Sequence, residues 1–215
     1  MSVSARTPEQ VLATIEAADR LLVQQVFKPI ANEYRISVPA PGATQEGETL
    51  LVVRQKRLSV REDIRFRLDP ERDEHLFMIK SKTMFEFRGR HEVLDEHGGL
   101  IGQLEKSFGA SLLRSSWVVR DRAGQVLMTA QEASLLIALV RRFGELVPLM
   151  GTELLSYLPF NFRLQSPNGG EVGHYQRVLG TFRDRYVLEL GPEAAGIDRR
   201  LLLAFAVALD ALQDR

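Results

Sequence analysis

The sequence has no cysteine among its 215 residues. That excludes disulfides, thiol nucleophiles, thiolate metal sites and S-palmitoyl anchors. Net charge is missing too: 28 basic residues stand against 28 acidic ones, 28 − 28 = 0. This argues against bulk attraction to nucleic acid or to an anionic membrane, although a local patch stays open. No charge-free stretch exceeds ten residues, whereas a membrane-spanning helix needs about 20 predominantly apolar ones. Met1 to Ala5 lacks the basic start and apolar run of a signal peptide. The expectation is a cytoplasmic chain, either free or peripheral to a membrane. Enzyme signatures are equally scarce. There is no Gly-x-Ser-x-Gly elbow, no phosphate-binding glycine loop and no dinucleotide fingerprint. Neither catalysis nor a cofactor is expected.

What is present reads as strands. Thr7-Pro8-Glu9-Gln10 has the chemistry of a helix start, with Thr7 and Gln10 spaced for a capping box and Pro8 in the first turn. Val11, Leu12 and Ile15 follow at helical spacing, which predicts a short amphipathic helix over 8–19, packed outside a larger body. From Leu21 the period falls to two. Strands are predicted at 21–28, 33–38, 50–57, 62–68, 75–81, 85–94, 100–107, 112–120 and 125–132, then at 160–166, 171–179 and 182–190. Ile64-Arg65-Phe66-Arg67-Leu68 and Met84-Phe85-Glu86-Phe87-Arg88 alternate most plainly, one side chain in two facing inward. Strands this dense, joined mostly by short loops, make an antiparallel meander.

A shift of 26 residues superposes Lys80 on Lys106, Arg88 on Arg114, Val93 on Val119, Asp95 on Asp121 and Gly98 on Gly124. Asp69 lies one period upstream. Asp95–Gly98 and Asp121–Gly124 read as hairpin turns, in which Asp bonds back to the turn and Gly supplies a positive φ. Ser166-Pro167-Asn168-Gly169 reads as a third, displaced by an insertion at 133–159 that has helical spacing. The chain closes with Asp198 as a helix cap, followed by Leu201–Leu209, apolar on every face. Such a helix is enclosed either by lipid or by protein. Nine residues reach only ~13 Å, too short for a ~30 Å hydrocarbon core. Protein must therefore surround it.

Twelve short strands followed by an all-apolar C-terminal helix resemble the tubby C-terminal-like superfamily, which includes phospholipid scramblases and LURP-one-related proteins. The likeness is carried by Leu22-Val23-Gln24-Gln25 with Asn32-Glu33-Tyr34-Arg35-Ile36, by Phe85 to Ser107, and by Asp198 to Leu212. It implies a mainly β fold, a closed twelve-stranded antiparallel β-barrel around a buried C-terminal hydrophobic helix at 198–213. Residues 1–20 would then be a helical extension and 21–215 one barrel domain. The scramblases' cysteine-rich stretch is absent. Asp184, Glu189 and Glu193 are too sparse for their acidic calcium loop. Tubby domains bind phosphoinositide head groups through basic side chains on neighbouring strands, so the resemblance implies an anionic phospholipid or membrane surface as partner.

Among the residues themselves, Arg54, Lys56, Arg57, Arg61, Arg65 and Arg67 face only Glu62 and Asp63 within one stretch. Arg54 and Lys56 share a strand face, as do Arg65 and Arg67, and antiparallel pairing would cluster the four. Such a cluster is either a site for a phosphorylated head group, held by arginine forks, or a solvated face paired with acids such as Glu71 and Glu74. Arg141 and Arg142, beside the apolar run of the insertion, are candidates for membrane-surface contact; the alternative is an insertion that caps the barrel. His91-Glu92-Val93-Leu94-Asp95-Glu96-His97 lacks the two-histidine spacing of a helical zinc motif, so no metal is expected. His75 and His174 stand alone. Trp117 and the phenylalanines read as core, and no strand interleaves exposed aromatics with basic residues, so no nucleic-acid partner is expected. The leading expectation is a non-enzymatic phospholipid head-group or membrane-surface module. The alternative is a scaffold that binds a protein partner through the insertion.

Overall fold

A computed structural model describes residues 6–27, 31–40, 47–56, 63–81, 89–107, 116–132, 161–178 and 185–211. Helix α1 spans Pro8–Glu16. Its capping box forms as the sequence predicts: the Gln10 amide N–H donates to Thr7 Oγ1 and the Thr7 N–H to Gln10 Oε1, at 3.4 and 2.9 Å. Twelve strands follow. They are β1 (Arg20–Phe27), β2 (Ala31–Ser37), β3 (Thr49–Lys56), β4 (Asp63–Arg67), β5 (Phe77–Ser81) and β6 (Arg90–Asp95), then β7 (Leu100–Ser107), β8 (Ser116–Asp121), β9 (Val126–Glu132), β10 (Asn161–Gln165), β11 (Glu171–Arg177) and β12 (Arg185–Leu190). Each pairs antiparallel with its sequence neighbour, and β1 pairs with β12, so the sheet closes into a barrel with no free edge. A 3-10 turn at Pro192–Gly196 leads into α2, Arg199–Ala211.

The period-two pattern becomes an inner wall. Tyr34, Val53, Phe66, Phe77, Val93, Leu104, Trp117, Ala130, Phe162, Tyr175 and Leu188 are all buried in one cluster. Every residue of α2 from Leu201 to Leu209 is 1% exposed or less and belongs to that cluster. This is why the helix can be apolar all round: the strands enclose it on every side. Burying each large aliphatic or aromatic side chain there is worth about 1.5–3 kcal/mol. Phe205 meets Trp117 edge to face, ring centroids 6.4 Å apart. At Gly102 on β7 the helix passes close to the wall, since a methyl group there would come within 2.9 Å of Leu201 Cδ2.

The 26-residue repeat is structural. Strand β6 shifted by 26 positions is β8, residue for residue. Both carry a register shift at the same place, after Val93 and after Val119. Both end in the same turn: Asp95 Oδ1 accepts from the His97 and Gly99 amides (2.9 and 2.7 Å), Asp121 Oδ1 from those of Ala123 and Gln125 (2.9 and 2.8 Å). Gly98 and Gly124 have φ of 82° and 83°, the left-handed region that favours glycine. The displaced third turn has Gly169 at 82°, with Ser166 Oγ accepting from the Gly170 amide at 3.1 Å.

One expectation changes. The helix at the N-terminus is not merely laid against an outer wall. Val11 and Ile15 join the same buried cluster as α2, and Leu12 and Ile15 border a cleft with Asp198 and Arg199, so α1 closes the barrel end where α2 begins. Its start is held by the Arg6–Glu48 ion pair at 2.7 Å. The strands expected from 85 and 112 are described only from Arg90 and Ser116. Met84–Arg88 and the 133–159 insertion, with Arg141 and Arg142, lie outside the described residues.

Candidate functional site

The basic strands meet on the outside of the barrel. Inward positions of β3 and β4 are taken by Val53, Ile64 and Phe66, all buried, which leaves the arginines on the outer face. The register sets Arg54 directly across from Arg65, and Val52 across from Arg67. Adjacent like charges on one face repel and are ordinarily avoided. The contrast is β6–β7–β8, where Glu105 lies between Arg90 and Arg120 at 3.3 and 3.4 Å and balances both.

Strand β2 adds two residues that local sequence reasoning left out. Glu33 lies across from Arg54 and Arg35 across from Val52. Glu33 is 2% exposed, and its carboxylate accepts from Arg35 and from Arg54, each at 3.4 Å. The signal was present in the alternation Glu33-Tyr34-Arg35, with Tyr34 buried between two outward charges. Which strand stood beside them needed the three-dimensional pairing.

The four expected cations differ in their surroundings. Arg54 donates to the Pro70 carbonyl at 3.0 Å and pairs with Glu71 at 3.3 Å. Arg67 pairs with Asp73 at 3.3 Å, whereas Glu74, the acid expected there, makes no ion pair among the described residues. Arg65 has no hydrogen-bond or ion-pair partner among the described residues. The backbone of Lys56 lies across from Ala31 on β2; its side chain lies outside the described set. Glu71 and Asp73 are 81% and 97% exposed at the side chain. Exposed pairs of this kind are worth only about 0–1 kcal/mol, so both acids are easily displaced. Among the described residues, Glu33 is the one buried carboxylate on the patch.

The histidine segment is occupied by structure. His91 faces the barrel interior, stacks on Trp117 at 6.4 Å between ring centroids, and burial lowers its imidazole pKa to about 4. The Asp95 carboxylate is spent on its turn, and the Gly99 amide, ahead of that of His97, holds its pKa below the ordinary value. Among the described residues, no group of three His, Asp or Glu side chains could hold a metal ion. His174 does not stand alone, since its Nε2 lies 3.3 Å from Glu171.

A closed antiparallel barrel of twelve strands threaded by a C-terminal helix defines a protein of the tubby-like superfamily. The LURP-one-related family model matches residues 49–210, from the first residue of β3 almost to the end of α2, and the chain belongs to that family. No curated protein matches the chain significantly. Strands β1 and β2 precede the matched stretch, yet they close the barrel and supply Glu33 and Arg35. No described helix is long and apolar enough to cross a membrane.

Proposed function

We propose that this barrel is a non-enzymatic binding module for phosphorylated head groups of anionic phospholipids, held on the outer face of β3 and β4 by Arg54, Lys56, Arg65 and Arg67. The observation that carries the reading is the Arg54–Arg65 cross-strand pair, with Arg67 one step along the same face. Two guanidinium groups side by side form a fork that suits a phosphate. A bound phosphate would relieve their repulsion and replace Glu71 and Asp73. Arg141 and Arg142 belong to the same proposal as a second contact with the membrane surface.

Co-sedimentation with vesicles tests it. Binding is expected to vesicles containing phosphoinositide and not to neutral phosphatidylcholine vesicles. The double variant Arg65→Gln/Arg67→Gln should weaken it by about 30-fold, taking roughly 1 kcal/mol per cation at an anionic surface. Equal and negligible sedimentation with both vesicle types would end the proposal and leave the partner-binding scaffold as the better reading.

A further inference from the structure

A second charge imbalance lies at the end of the barrel that α1 closes. Arg199, the first residue of α2, is 7% exposed. Its Nη1 donates to the Ala194 carbonyl at 3.0 Å, and this is its one hydrogen bond among the described residues. Its Nε is enclosed with no partner. The nearest acid in sequence is already committed. Asp198 accepts from Arg200 Nε and Nη2 at 3.0 and 2.7 Å and from the Arg200 amide at 2.9 Å. Arg199 therefore has no ion-pair partner among the described residues, although burying a guanidinium without a counter-charge is expensive.

The same arginine borders a cleft of about 480 Å³ between α1 and the start of α2. That volume falls within the ~300–1,000 Å³ range of small-molecule sites. Its other wall is apolar, formed by Leu12, Ala13 and Ile15 on α1. Glu16 stands on the rim, exposed, and makes no ion pair with Arg199. The amino end of a thirteen-residue helix adds its positive dipole to the same spot. Asp198 and Arg200 line the same wall but neutralise each other at 2.7 Å, which leaves Arg199 as the cation of that wall with no carboxylate partner among the described residues, opposite the hydrocarbon of α1.

We infer that this cleft binds a small amphiphile, one carboxylate or phosphate group against Arg199 and a short apolar body against Leu12, Ala13 and Ile15. The anion supplies the counter-charge that the described residues do not, and the hydrocarbon covers the α1 wall. This site is separate from the β3–β4 face and does not depend on it.

Calorimetric titration with four probes tests the inference: octanoate, octyl phosphate, octanol and acetate. Octanoate or octyl phosphate should bind saturably, one per chain, and which of them binds more tightly identifies the head group. Octanol and acetate should bind at least tenfold more weakly, since each lacks one half of the ligand. Arg199→Gln should weaken octanoate and octyl phosphate at least tenfold. Should that variant fail to fold, Ala13→Trp decides, because Ala13 is exposed and a large ring there fills the cleft from the α1 side. Arg65→Gln should leave octanoate affinity unchanged. Octanol binding as tightly as octanoate, no saturable binding of either anion, or unchanged affinity in Ala13→Trp would each overturn the inference.

Discussion

Adding one methyl group at three different glycines separates the ways this barrel constrains its chain. At Gly102 a Cβ would meet Leu201 Cδ2 at 2.9 Å and Cδ1 at 3.0 Å, and would press still closer on the backbone carbonyl of Arg120. The leucine tip can yield, but the carbonyl belongs to β8 and is fixed by its ladder. Overpacking of this kind costs about 1–3 kcal/mol. At Gly98 nothing lies within 4 Å, but φ is +82°, so Gly98→Ala carries only left-handed backbone strain, about 1–2 kcal/mol. At Gly196 nothing lies within 4 Å and φ is outside the left-handed region. Gly196→Ala should be neutral, or stabilising by up to ~1 kcal/mol through loss of unfolded-state entropy. For a chain of this size each kcal/mol moves Tm by about 2–4 °C, so Gly102→Ala should melt roughly 2–12 °C below wild type. Urea denaturation of the three variants, with m-values checked for constancy, reads the free energies directly. If Gly102→Ala is as stable as Gly196→Ala, the β8 carbonyl and the central helix do not approach Gly102 as closely as described, and the packing argument fails.

Three further outcomes follow from the interior. Leu203→Asp places a carboxylate where the side chain is 0% exposed, and should abolish folding; soluble protein with a cooperative melt would show that α2 is not enclosed. The Tyr186 hydroxyl donates to Asp210 Oδ1 at 2.7 Å near the end of α2. Removing it in Tyr186→Phe leaves a carboxylate without that donor and should cost about 1–3 kcal/mol in urea denaturation; a loss below 0.5 kcal/mol would refute the bond. His91 has its pKa lowered to about 4 by burial, from an ordinary 6.5. Above pH 6.5 neither state binds the proton, whereas between pH 6.5 and 4 only the unfolded chain does. Stability should therefore fall as pH falls through that window, by up to about 3 kcal/mol from this residue. His91→Asn should flatten the slope of urea midpoint against pH, and an unchanged slope would remove His91 as its cause.

Much of the fold was legible because the information is local. Alternation in Ile64-Arg65-Phe66 sets a strand and its inner face, and Asp95 and Gly98 at fixed spacing set a turn. The 26-residue shift aligns Val93 with Val119, and each of the two precedes a register shift. The cation cluster was legible only in part. Sharing a strand face is a local property, so Arg54 and Arg65 could be placed together from their own strands. Glu33, Arg35 and Asp73 reach the patch through pairings and a loop path that no local pattern encodes.

The division has one physical cause. Side-chain period, turn chemistry and an all-apolar run are properties of neighbouring residues, so the sequence by itself determined twelve strands, their hairpins and a helix that had to be enclosed. Charge balance is a property of residues close in space. Only the tertiary structure decided that Glu105 neutralises its two arginines, that Glu33 lies buried against Arg54, and that Arg199 is buried with no counter-ion among the described residues beside the cleft at α1. A net charge of zero is compatible with all three arrangements.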